Sequence, residues 1–515
     1  MLSHLKSSLS LVIVLSLFTI GILLFSVRGT SAVPTSITFT VDSAADAVDD
    51  NPGNGVCHTT TGACTLRAAI MEADEATSDV TIDVPSGTYV LSIPPISTTD
   101  TITNGDLNLT PPPSGNPTMI INGAGLNNTL IDGNHLDRVF SVSAGRSAVI
   151  SNLTMRNGVV PTYQNGGGLA NEGRVVLNSV RVFNNSAAGG LGGGGLYNDG
   201  QMTINDSLID GNVTPSTYGG GLANAFGGSL RINNSIISNN RAPDGIGGGI
   251  YDVSGQAVSV MLTATAVYSN YAFGGGGLAR SWSTGGPLRV VDSAIYSNTA
   301  WGWHGGGIDV GFSSGGDLHV TNSTISGNSA HRDGGGIAIE SNSSRVSLYN
   351  ATIAYNSAGA NLDYIGRGGG IASLSTAVFT SQYTLLAWNT DVFTTVLNNF
   401  VITLTEGNEC YGSFGFERDD IMAQYDTVRC HPTSLVYHGD PKIGPLRNNG
   451  GATWTHALLK GSPAIDKGQY CTDEQGYPLW KDQRGFARFY DLFCDVGAYE
   501  YPDNWVYLPL ALKSQ

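Results

Sequence analysis

Three ionisable residues, His304, Asp333 and Arg367, each stand immediately before a Gly-Gly-Gly triplet, and Trp301, Trp303, His331 and Arg332 crowd the same loops. Such a row could hold a sugar: aromatic faces stack on pyranose rings, while carboxylate, imidazole and guanidinium bond hydroxyls or uronic carboxylates. The same residue types would also arise as a ladder of solvated surface charges with aromatics covering loop glycines, since exposed ion pairs are common and worth only about 0–1 kcal/mol. Catalysis asks for more. Glycoside hydrolysis needs carboxyl groups converging at about 5 Å or about 6.5–9.5 Å. Asp309 and Asp333 come nearest to that, His304 is the third catalytic candidate, and no neighbour completes the set. A lyase needs a base beside several cations. Arg332 and Arg367 are present, but there is almost no Lys between residues 33 and 440.

Glu172 and Asp199 follow their triplets at equal distance, with Ala225 next in line, and are the metal candidates. A hard cation usually takes about six to eight oxygens, more than this row offers. Nothing approaches a P-loop, a zinc motif or a nucleophilic triad, so no cofactor is expected.

The elements that must position these residues are periodic. A triplet followed by Leu or Ile recurs eight times, with the aliphatic residue at Leu169, Leu196, Leu222, Ile250, Leu278, Ile308, Ile337 and Ile371. A second beat runs in phase at Asn185, Asn212, Asn240, Asn270, Asn298, Asn328, Asn356 and Asn389, each with an apolar residue three positions earlier, from Val182 to Leu386. Self-similarity at this period marks stacked supersecondary units. β-Branched residues at alternate positions, amid Gly, Ser, Thr and Asn, suit strands rather than helix pairs. The expected fold is all-β, a single-stranded parallel β-helix, with the right hand that the crossover rule favours. In that fold the Gly column supplies backbone bends and close stacking. The Asn column is expected to tolerate left-handed backbone and to bond the Asn one coil away.

Composition agrees: 69 of 515 residues are Gly, 41% are hydrophobic and only 13% are charged. A net charge of -16 with no basic stripe excludes nucleic acid as a partner. The chain is read as a monomer. Residues 1–32 combine Lys6, an apolar run from Leu9 to Phe25 and the small-residue exit Thr30-Ser31-Ala32, a secretory signal or an N-terminal membrane anchor. Six cysteines in three sequence-local pairs agree with export. A rod keeps distant segments apart, so Cys57 is expected to pair with Cys64, Cys410 with Cys430, and Cys471 with Cys494.

Residues 33–115 read as a cap and first coils. Leu66 to Ala76 carries the one convincing soluble helix signal, with Thr65 in the capping position and Leu66, Ala69, Ile70 and Ala73 on one face. It reads as a lid on the open end of the solenoid. Here Cys64-Thr-Leu-Arg-Ala-Ala-Ile resembles the Cys-Ser-Leu-Arg-Glu-Ala motif that opens many exported bacterial β-helix proteins, with Ala68 where the pattern has Glu. The repeats, residues 116–397, resemble those of the polymorphic outer-membrane protein type and of pectate-lyase-like solenoids. After a disulfide-bearing excursion at 398–440, residues 441–503 resemble the choice-of-anchor Q domain. They do so through Ile443-Gly-Pro-Leu-Arg-Asn-Asn-Gly-Gly, Gly461-Ser-Pro-Ala-Ile-Asp, Asp482-Gln-Arg-Gly and Asp495-Val-Gly-Ala-Tyr-Glu. The tail, 504–515, has Leu-Pro but no sortase signal, so any anchoring is expected at the first 32 residues. These resemblances imply an exported bacterial surface protein that binds, adheres to or structures an extracellular or cell-wall polysaccharide. The alternative is a polysaccharide lyase or glycoside hydrolase.

Overall fold

In the computed structural model the repeat closes into a parallel β-solenoid. The structure describes residues 37–502 apart from stretches at 97–100, 161–162, 256–259, 282–285, 313–314, 360–365, 398–399, 417–418, 424–429, 433–436 and 489–492. The proposed signal or anchor and the C-terminal tail lie outside the described residues.

One coil shows how the sequence makes the winding. Strand Leu278–Ser281 follows its triplet; Leu288–Val291 and Ala294–Tyr296 come next, and Thr299–Ala300 follows the ladder residue Asn298. Each strand pairs in parallel with its equivalent one coil away, as in Leu278↔Ile308 and Ile308↔Ile337. The eight aliphatic residues after the triplets therefore form one unbroken buried column. Val182, Ile209, Ile237, Val267, Ile295, Ile325 and Ile353 form another in the sheet that faces it, a sheet of 13 strands. Burying each such side chain contributes about 1.5–3 kcal/mol, multiplied down the rod.

The glycines of a triplet serve two needs. The first turns a left-handed corner in all eight units, from Gly166 at φ 67° to Gly368 at φ 64°. The third is pressed against the next coil: a Cβ on Gly277 would lie 2.6 Å from the Gly307 carbonyl oxygen. The Asn column differs in part from expectation. Its side chains do bond from coil to coil, but the left-handed residue is the one before, as at Asn184, Asn239, Ser269 and Ser297. The ladder Asn side chain is turned inward, where it satisfies the corner's buried amides.

The N-terminal end is closed as its sequence suggests. Helix Leu66–Glu75 is capped by the Thr65 hydroxyl, which accepts the Ala68 N–H at 3.2 Å, and Leu66, Ala69, Ile70 and Ala73 join the core. Arg67 fixes this lid. It is fully buried, ion-paired to Asp46 at 2.6 Å, and donates to the carbonyls of Ile102, Gly105 and Asp106. Ala68, the position at which the motif departs from its pattern, is wholly buried.

Within 398–440 winding continues. Strand Cys410–Phe416 pairs in parallel with those at Ile371 and Val378, and Ile421–Met422 stacks on Leu385–Ala387. An antiparallel hairpin, Thr390–Leu397 with Phe400–Gly407, projects between. All three expected disulfides form. The described residues of 441–502 pack against the outside of the coils. Thr324 Oγ1 donates to Gln483 Oε1 at 2.6 Å, Ser326 Oγ and His456 Nε2 lie 2.8 Å apart, and Trp454 stacks on Tyr296 at 5.5 Å.

Candidate functional site

The loops before the triplets stack in register. Gly275 N–H donates to the His304 carbonyl at 3.0 Å, Gly305 N–H to that of Asp333 at 3.1 Å, and Gly334 N–H to that of Arg367 at 2.9 Å. His304, Asp333 and Arg367 therefore stand one coil apart, as the alignment of triplets requires. Their exposure differs. His304 is 6% and Asp333 2% exposed, while Arg367 is partly open to solvent, donating to the Tyr411 hydroxyl at 3.1 Å.

His304 and Asp333 are engaged with each other. The Asp333 backbone N–H donates to His304 Nδ1 at 3.1 Å, so that nitrogen carries no proton. Burial, with Arg332 and Arg367 nearby, lowers the His304 pKa to about 4. The 3.3 Å approach of Asp333 Oδ2 to Nδ1 is thus a contact with a neutral ring, not an ion pair. Burial raises Asp333 to about 6 against the pull of Arg367 and Arg332. At neutral pH the row reads as neutral imidazole, carboxylate and guanidinium. As general base or acid toward a bound polymer, His304 and Asp333 are poorly placed because they are covered.

The indoles divide similarly. Trp303 has Phe273 nearby, at 6.1 Å and nearly parallel, and the Arg332 guanidinium 4.1 Å from its ring centroid. It is half-buried, with part of its ring packed against these neighbours. Trp301 is 39% exposed, meets Phe273 edge-on, and donates from Nε1 to the Pro243 carbonyl at 2.7 Å. Trp301, His331, Arg332 and Arg367 together present aromatic and cationic surface on consecutive coils.

Asp309 lies beneath these loops, 0% exposed, on the outward face of strand Ile308–Phe312. Neither of its oxygens meets a hydrogen-bond donor among the described residues. Its neighbour is Glu340, whose Oε1 accepts from Trp303 Nε1 at 3.0 Å. Burial and the Glu340 carboxyl hold the Asp309 pKa well above the ordinary value; burial also raises Glu340. The linkage has a definite sign. A raised folded-state pKa means that stability is greatest below the unfolded-state value of about 3.9 and declines as pH rises toward the folded-state value. Asp309→Asn removes this penalty and supplies a donor, so it should raise unfolding stability at pH 8 by about 1–3 kcal/mol and leave it nearly unchanged at pH 4. Urea titrations at both pH values check this; equal effects at the two would refute it.

Sequence reasoning missed Glu340, although the signal existed: carried down the coils, the row of Glu172 and Asp199 arrives there. It also missed Phe273 and Tyr411, which belong to no repeated column of charge. Glu172 and Asp199 are exposed on consecutive turns, and Asp199 Oδ1 accepts the Gly227 N–H at 2.7 Å, a turn contact. No third ligand joins them among the described residues. Grouped metal-type ligands occur instead at Asp49, Asp50 and His58, whose atoms are spent within their own loop.

Two hollows lie along the corner that follows the triplet strands. One, about 400 Å³, is lined by Glu172, Gly173, Arg174 and Gln201; the other, about 640 Å³, by Gly311, Glu340, Ser341, Asn342, Ser343, Leu374 and Ser375.

No helix among the described residues is long and apolar enough to cross a membrane. No family model matches the sequence. No curated protein matches it either. Among solved structures the chain is similar to one titled "Crystal structure of pectate lyase Pel9A", over 91% of this chain and 98% of that one, at 15% identity and a TM-score of 0.42. At that identity and score no residue role is carried across.

Proposed function

We propose that this is an exported, surface-associated β-solenoid that binds an extracellular polysaccharide along the loops preceding its glycine triplets. The reading rests on one observation: Trp301, Trp303, His331, Arg332 and Arg367 are the members of the row that are not buried, and they lie on consecutive coils, so an extended polymer running along the rod meets them in turn. An exposed indole and guanidinium groups suit a chain of pyranose rings carrying hydroxyls or carboxylates. Three disulfides suit an oxidising compartment. In this reading residues 1–32 direct export or anchor the chain, the Cys64-Thr-Leu-Arg stretch caps it, and residues 441–503 act as a choice-of-anchor Q-like region. The enzymatic alternative is disfavoured by the burial of His304, Asp309 and Asp333.

Titration of purified protein with soluble pectin, xylan and cellulose oligosaccharides tests the proposal. At least one should bind without new reducing or unsaturated ends. Trp301→Ala with Arg332→Ala should weaken that binding about tenfold or more. Cleavage of any of these glycans, or binding unchanged in the double variant, overturns it.

A further inference from the structure

Residues 441–502 differ from the rod they pack on in both composition and surface. Every lysine between residues 33 and 502 lies in this segment, at Lys442, Lys460, Lys467 and Lys481, and all four are exposed. Among its described acids only Asp466 is exposed; Asp482, Asp495 and Glu500 are buried. Six exposed aromatic rings lie here too, against five over all the other described residues. A segment that serves only to brace the coils would turn such rings inward, so the excess calls for an occupant.

Three of the rings are gathered by one junction. Leu479 N–H donates to the Cys471 carbonyl at 2.8 Å, and a disulfide joins Cys471 to Cys494 with their Cα atoms 6.1 Å apart. The two cysteines lie in one buried apolar cluster, and Leu479 packs against it. Neighbouring side chains along an extended chain point opposite ways, so the residue beside each of the three faces out. These are Tyr470, Phe493 and Trp480, which are 70%, 42% and 67% exposed. Thr472 pairs with Pro478 in an antiparallel bridge. That register, carried two steps back, sets Tyr470 directly opposite Trp480, where the Cβ atoms of a pair lie about 5 Å apart. Lys467 precedes Gly468, which exchanges two backbone hydrogen bonds with Cys494, each of 2.8 Å, and Lys481 follows Trp480.

The residue types define the occupant. Such rings stack on pyranose faces. Of the exposed large apolar residues in the segment all are aromatic except Leu459, whereas a surface that enters a lipid bilayer draws equally on leucine. The cations beside the rings are ammonium groups, point charges that suit a phosphate ester, while a uronic carboxylate is matched best by the planar fork of a guanidinium. Arg484 and Arg488 do not offer that fork, being held by Asp482 and Glu500. On a chain of net charge -16 this patch is also where a polyanion meets least repulsion.

We propose that the outer face above the Cys471–Cys494 disulfide binds a phosphate-bearing glycan, with Tyr470 and Trp480 stacking on its sugar rings, Phe493 extending the platform, and Lys467 and Lys481 neutralising the phosphate. The segment sits on Asn322, Thr324 and Ser326, about midway in the winding between the triplets that begin at Gly305 and Gly334. This face is therefore separate from the loops before the triplets, and its ligand is independent of theirs.

Calorimetric titration of the full chain with pentamannosyl phosphate and with unphosphorylated mannopentaose tests this. In low salt the phosphorylated sugar should bind about tenfold more tightly than the neutral one, and about 0.5 M NaCl should remove most of that difference. Trp480→Ala should weaken binding of the phosphorylated sugar about tenfold. Lys467→Gln with Lys481→Gln should make the two sugars bind alike. Phe226→Ala, which removes an exposed ring elsewhere on the rod, should bind as wild type does, and so should Trp301→Ala with Arg332→Ala. All are surface substitutions, and an unchanged urea midpoint verifies the fold of each. The proposal is overturned if the phosphorylated sugar does not bind, if wild type binds both sugars equally, or if Trp480→Ala leaves binding unchanged. Loss of binding in Trp301→Ala with Arg332→Ala also overturns it, by assigning the sugar to the loops. Capture of the chain by phosphatidylglycerol vesicles without binding of the sugar assigns the face to a membrane instead. None of these failures touches the polysaccharide reading of the loops, whose test uses unphosphorylated glycans of other kinds.

Discussion

Asn298→Ala should destabilise the solenoid by about 4 kcal/mol, far more than the loss of a single hydrogen bond. Asn298 Oδ1 accepts from both the backbone N–H and the side-chain Nδ2 of Asn270, each at 3.0 Å. Its own Nδ2 donates to the Val267 carbonyl at 2.9 Å and to Asn328 Oδ1 at 3.0 Å. Alanine removes these bonds together and strands the Asn270 amide and the Val267 carbonyl where water cannot reach. Each buried unsatisfied group costs about 1–3 kcal/mol. The ladder runs from Asn185 to Asn389 and ends on Glu409, whose Oε2 accepts from Asn389 Nδ2 at 2.6 Å, so the fault lies in mid-rod rather than at a fraying end. Asn205→Ala is the comparison. Asn205 also belongs to an Asn ladder, donating to Asn178 at 2.9 Å and accepting from Asn233 at 2.9 Å, but it is half-exposed and water can replace its partners. Its loss should cost about 1 kcal/mol or less. Urea denaturation of both variants checks the contrast; similar costs at the two positions would show that burial of the inner ladder is not what makes it matter.

How legible this was depends on whether a residue acts through a column or alone. The aliphatic and Asn columns were readable because one geometric demand repeats in every coil, and a repeated demand selects a repeated residue. The disulfides and the lid helix were readable for local reasons: short separations, and a capping threonine before an amphipathic turn. The row His304, Asp333, Arg367 was aligned from sequence because the triplet fixes the backbone register on one side of it. Which members would be reachable was not legible. Exposure depends on loops of unequal length folding over the sheet, and no period describes them. Trp303 reads as a free platform until Phe273 and Arg332 are placed near its ring. Asp309 reads as an isolated acid until register sets Glu340 beside it. The left-handed residue beside each ladder Asn was misplaced by one position because asparagine suits both jobs, and only the inward hydrogen bonds separate them.

Arg488→Met should loosen residues 441–502 from the coils at a cost of about 3–5 kcal/mol at pH 8, and distinctly less at pH 5. Arg488 is fully buried and bonds in both directions: to Asn322 Oδ1 at 2.5 Å on the solenoid, and to Glu500 Oε2 at 3.1 Å and the carbonyls of Asp495 and Gly497 within its own region. Removing one partner of a buried pair leaves an uncompensated charge, which is where the large cost arises. Burial raises Asp495 to about 6 and Glu500 to about 8, and Arg488 is the cation that lowers both. Without the guanidinium the folded-state pKa of Asp495 rises further above its unfolded-state value. The penalty through Asp495 is nearly absent at pH 5, where the carboxyl is mostly protonated with or without Arg488, and grows as pH rises through about 6, so it is present at pH 8. Met fills most of the space, so a lost cavity term does not obscure the electrostatic one. Limited proteolysis of the full chain gives the readout: faster cleavage within 441–502 at pH 8 than at pH 5, with the coils before it resistant at both. Equal cleavage rates at the two pH values would mean that Asp495 is not a group Arg488 compensates, and that the region is held chiefly by neutral contacts such as Thr324 with Gln483 and Tyr296 with Trp454.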